Sequence, residues 1–196
     1  VVVSLYLADI NFTDHKVLYF CTLLGFSAAE GIFYLFMGES LLYKCYPLLI
    51  HIPLILLIWL VFHRNFYVST IAVLSAYLLC TPRKWVGTLV ASFFHGDPLI
   101  GNVTAICVTI PLLFLVVRYI APYIIRLKYE SRKTILLLFL LPLVYYILEY
   151  TFTVYTDLLY TGGPVVIDFM DSFIVLFFFI LSMLSLDFSN KKNEAE

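Results

Sequence analysis

Five ionisable side chains, Glu30, His51, Glu149, Asp168 and Asp171, sit inside long apolar runs of this 196-residue chain. Near the centre of a bilayer each charge costs on the order of 2.5–3.5 kcal/mol, so such groups need a partner, a ligand or water. Tyr146, Glu149, Tyr150, Thr153 and Asp157 recur at steps of three or four and therefore share one helical stripe. A carboxylate flanked by tyrosine and threonine hydroxyls can hold a ligand, pass a proton, or lock helices together by hydrogen bonds. His51 lies between Pro47 and Pro53, where a packed, hydrogen-bonded imidazole is the simpler alternative to a contact with ligand. No second His or Cys stands at metal-ligand spacing from it. Arg83 and Lys84 precede Trp85, a grouping suited to an anionic lipid headgroup, to a peptide carboxylate, or to plain interfacial anchoring.

Covalent chemistry has no comparable signature. There is no G-x-S-x-G, no H-E-x-x-H and no Walker loop. Cys45 lies six residues from His51 with Pro47 between them, and His63 has no cysteine beside it, so a cysteine-peptidase pair is weakly supported. Cys21, Cys45, Cys80 and Cys107 are scattered through apolar runs and read as buried small hydrophobes. No metal site, cofactor or nucleic-acid surface is expected.

The elements that must position these groups are set by composition. Hydrophobic residues make up 63% and charged residues 13% of the chain. A soluble domain carries about 25% charged residues, so this chain is expected to sit in a lipid bilayer. Apolar stretches of roughly twenty residues match a ~30 Å hydrocarbon layer. They predict an all-α polytopic transmembrane bundle: a partial span over 1–10, then six full spans at about 17–37, 43–62, 66–81, 98–121, 134–156 and 165–188. Residues 85–96 are too short to cross and are expected at the interface. The transmembrane domain then covers 1–188, and 189–196 begins a cytoplasmic helix or linker. Pro47, Pro53, Pro111 and Pro142 fall within spans, as helix shaping or as hinges.

Charge sets the orientation. With a cytoplasmic C-terminus, nine Lys and Arg lie inside against three outside, and the block 126–133 dominates. Glu30, His51, Glu149, Asp168 and Asp171 then all fall in the outer halves of their spans. That segregation predicts an outward-facing polar pocket lined by Glu30, His51, Tyr146, Glu149, Tyr150, Thr153 and Asp157, with Arg83 as a clamp for an anionic group.

Several stretches carry a family resemblance: LYKCYPLLIHIPLIL (42–56), LSAYLLCTPRKWVG (74–87), PLLFLVVRYIAPYIIRL (111–127), LLPLVYYILEYTFTVYTDLLYTGG (140–163) and VVIDFM (165–170). Together they resemble the membrane sensor region of GHKL-type bacterial histidine kinases, the class that includes agr-type peptide-pheromone receptors. The resemblance implies a multi-pass sensor in the bacterial cytoplasmic membrane, receiving an extracellular small molecule or peptide. It further implies a homodimer and a kinase module in cis, because these 196 residues hold no phosphoacceptor helix and no nucleotide-binding motif. Two other classes stay open: a small proton-coupled transporter using Glu149 and His51, and an assembly subunit without a ligand.

Overall fold

The computed structural model describes residues 1–129 and 131–151, with single positions beyond (154, 177, 178, 180–182, 184, 187, 188 and 191). The described residues are helical with no strand. The helices are α1 (Val2–Leu7), α2 (Lys16–Tyr46), α3 (Ile52–Leu60), α4 (Phe66–Cys80), α5 (Pro82–Phe93), α6 (Pro98–Leu115), α7 (Ala121–Arg126) and α8 (Arg132–Tyr150).

Four helical stretches are long and apolar enough to cross a membrane: Lys16–Gly38, Ser40–Leu60, Pro98–Arg126 and Arg132–Tyr150. They match four of the six expected full spans. The first two form one helical run broken at Gly38, whose φ of 79° and ψ of 173° lie outside helical space. Only glycine adopts that conformation without a steric penalty.

The expected span at 66–81 differs. It is α4, a 15-residue helix shorter than a lipid-exposed crossing requires. It is the centre of the molecule, touching α1, α3 and α8, and Val68 through Ala76 are buried. Ser69, Thr70, Ala72, Ser75 and Ala76 are small, which lets neighbouring helices approach closely. Two of the hydroxyls stay satisfied while buried: Ser69 donates to the Asn65 carbonyl and Thr70 to the Phe66 carbonyl, each at 2.9 Å. The expected partial span is the short α1, packed on α4 and α7. The expected last span, 165–188, lies mostly outside the described residues.

Residues 85–96 follow α4 through Thr81 and form most of α5, which pairs with α6. Gly87 and Ala91 on α5 face Gly101 and Ala105 on α6. A Cβ added at Gly87 would fall 2.6 Å from the Gly101 carbonyl oxygen, so backbone meets backbone there.

Prolines widen two helices in the same way. The turn Pro47–His51 is π-type, closed from the Ile52 amide to the Pro47 carbonyl, and Pro53 follows. The turn Val116–Ile120 is π-type too, closed from Ala121 to Val116, and Pro122 follows. A proline ring pushes away the carbonyl four residues earlier (Leu49 and Arg118 here), and an extra residue in the turn relieves the clash. Helix starts are capped by side chains. Asn65 accepts from the Tyr67 amide and Asp97 from the Leu99 amide, both at 2.9 Å, and Ser131 accepts from Thr134 at 3.3 Å.

Candidate functional site

Tyr146, Glu149 and Tyr150 project from one face of α8 into the bundle. Glu149 is 1% exposed and His51 6%. The π turn after Pro47 ends on His51 and turns its imidazole toward α4 and α8. There His51 Nδ1 lies 2.6 Å from the Tyr146 hydroxyl. Tyr77 of α4 lies within electrostatic reach of the Glu149 carboxylate. The Tyr150 hydroxyl donates to the Tyr43 carbonyl of α2. Tyr46 and Glu30, both on α2, lie within electrostatic reach of each other.

The imidazole is boxed by aromatic rings. Tyr46, Tyr77 and Tyr146 stand 5.1, 5.0 and 5.3 Å from it, all edge-to-face. Tyr77 and Tyr146 meet at 5.2 Å, and Tyr146 stacks on Tyr150 at 5.5 Å. Such pairs favour these geometries because a ring edge is positive and its face negative. The cluster thus joins α2, the π turn, α4 and α8.

It lies at one end of the bundle. At the other end, Arg64 Nη2 donates to the Asp9 carbonyl at 2.7 Å and lies 3.6 Å from the Asp9 carboxylate. Tyr77 is eleven residues along α4 from Phe66, about 17 Å at ~1.5 Å per residue.

Of the expected pocket residues, His51, Tyr146, Glu149 and Tyr150 come together, and Glu30 joins them at the edge through Tyr46. In place of an open crevice, the described side chains pack on one another. Arg83 stands exposed on the first turn of α5, within electrostatic reach of Tyr46. Thr153, Asp157, Asp168 and Asp171 lie outside the described residues. Tyr43, Tyr46 and Tyr77 were not in the expected set. Tyr46 and Tyr77 offered one signal, a phenol within an apolar run shortly before a proline: Tyr46 directly precedes Pro47, and Tyr77 stands five residues before Pro82. Cys21 and Cys107 are exposed rather than buried, because they sit on the outer faces of α2 and α6.

Beyond the cluster, Phe178 is 3% exposed and packs on Leu78 and on Tyr145, 5.8 Å between ring centres. Tyr145 is the chain neighbour of Tyr146. Comparison with protein-family models, curated proteins and solved structures gave no match.

Proposed function

We propose that this chain is the membrane sensor domain of a bacterial GHKL-type histidine kinase, with six full spans, a partial first span and a cytoplasmic C-terminus. An extracellular small molecule or peptide engages the polar cluster, and the last span passes the change to a kinase module in cis within a homodimer. The observation that carries this reading is the buried Glu149–Tyr77 and His51–Tyr146 network, which ties four segments together at one end of the bundle. A network of this kind has two discrete arrangements, closed on itself or opened onto a ligand. A ligand that prefers the second shifts the population toward it. The Tyr145–Phe178 contact supplies a physical neighbour through which α8 acts on the last segment.

The experiment is to read the gene past Glu196 and assay the full-length protein in proteoliposomes. A phosphoacceptor helix and an ATP-binding domain are expected downstream. Glu149→Gln is expected to shift the ligand dose–response of autophosphorylation while leaving membrane insertion intact. Absence of any kinase in cis or nearby, or an unaltered dose curve, rejects the reading.

One observation favours a second reading. His51 meets the Tyr146 hydroxyl, Glu149 lies within electrostatic reach of Tyr77, and Tyr77 and Tyr146 touch each other, an arrangement that can relay a proton. A proton-coupled transporter would acidify liposomes under an imposed gradient, and Glu149→Gln would stop it.

A further inference from the structure

The geometry points to a binding groove for the phosphodiester headgroup of an anionic phospholipid at the Arg64 end of the bundle. The groove encloses about 200 Å³ and is lined by Leu7, Ala8, Asp9, His63, Arg64, Asn65, Val68, Ile125 and Ile135. Its polar groups, Asp9, His63, Arg64 and Asn65, come from the end of α1 and the turn into α4. Its apolar wall comes from α1, α4, α7 and α8. A ligand matching both is amphipathic, which separates a lipid from a free anion.

The sign of the charge follows from what faces the groove. Arg64 uses Nη2 on Asp9, but its Nε–H is buried and has no hydrogen-bond partner among the described residues. A buried donor without an acceptor is costly, and an arriving acceptor removes that cost. A guanidinium presents adjacent N–H groups that fit two phosphate oxygens at once. Asp9 opposes an anion. Against it stand Arg64 and, within a few residues of the lining positions Ile125 and Ile135, Arg126, Arg132 and Lys133. The first turn of α4 also turns its positive end toward this side. Nothing in this assignment depends on the sensor reading, since the groove and the tyrosine cluster lie at opposite ends of α4.

The test is native mass spectrometry of the purified chain released from phosphatidylcholine nanodiscs doped with phosphatidylglycerol. The wild type is expected to keep about one phosphatidylglycerol under activation that strips phosphatidylcholine. Arg64→Ala is expected to lower that retention about tenfold, the loss of a charge-assisted hydrogen bond. Arg64→Lys keeps the charge but loses the paired donors, and falls in between. Should Arg64→Ala fail to fold, Ile135→Trp fills the groove with Arg64 intact, and loss of retention there supports the site. Lys84→Ala, at the other end, leaves retention unchanged. Equal retention in wild type and Arg64→Ala overturns the assignment. So does unchanged retention in Ile135→Trp, or an equal fall in Lys84→Ala. Displacement of the lipid by excess inorganic phosphate overturns the lipid as ligand and leaves a free-anion site.

Discussion

His51 and Tyr146 are 95 residues apart in the chain and 2.6 Å apart in space. Both are buried, so neither can exchange the other for water. Tyr146→Phe removes one partner and leaves an imidazole nitrogen with nothing to bond, a loss of about 1–3 kcal/mol. The expected outcome is a lower unfolding temperature in detergent, and a double-mutant cycle with His51→Ala is expected to show coupling above about 0.5 kcal/mol. Additive effects would mean that the contact carries no energy. Glu149 was legible beforehand because a carboxylate in an apolar run needs a partner. Tyr77, its neighbour on α4, was not, because a lone phenol in an apolar helix is common and its use depends on which face it occupies.

At the scale of the helix, glycine position separates packing from lipid exposure. A side chain at Gly87 meets the Gly101 backbone, whereas nothing lies within 4 Å of Gly25 on the outer face of α2. Gly87→Val is therefore expected to force α5 from α6 and cost about 1–3 kcal/mol, as overpacking does. Gly25→Val is expected to leave thermal stability nearly unchanged. Matching losses at both sites would contradict the α5–α6 seam. Asn65→Ala removes the cap of α4 and is expected to cost about 1 kcal/mol, read by the same melt. Helix periodicity and the prolines were visible in the chain, but the small residues that seat α5 on α6 were not read as a pair. A small side chain reports its role only when the opposing helix is known.

Across the molecule, the α5–α6 turn and the α7–α8 turn stand at the two ends of the 29-residue stretch Pro98–Arg126. A membrane-impermeant thiol reagent is expected to label His95→Cys from one side only and Tyr129→Cys only from the other, in a background lacking the native cysteines. Labelling of both from the same side would show that this stretch does not cross. The basic block 126–133 predicts that Tyr129→Cys is the cytoplasmic one.

Hydrophobic run length and the scarcity of charge were enough to give a helical chain with several stretches long and apolar enough to cross a membrane, since each reflects a transfer cost paid residue by residue. The shared face of Tyr146, Glu149 and Tyr150 on α8 followed from local spacing in the same way. Which helix occupies the centre could not follow, because a fifteen-residue, mostly apolar stretch such as α4 reads alike whether lipid or protein surrounds it. Nor could the enclosure of His51 by Tyr46, Tyr77 and Tyr146, or the meeting of Asp9 with Arg64. Those contacts join residues far apart in the chain, and they exist because packing, not local preference, sets which faces of the helices meet.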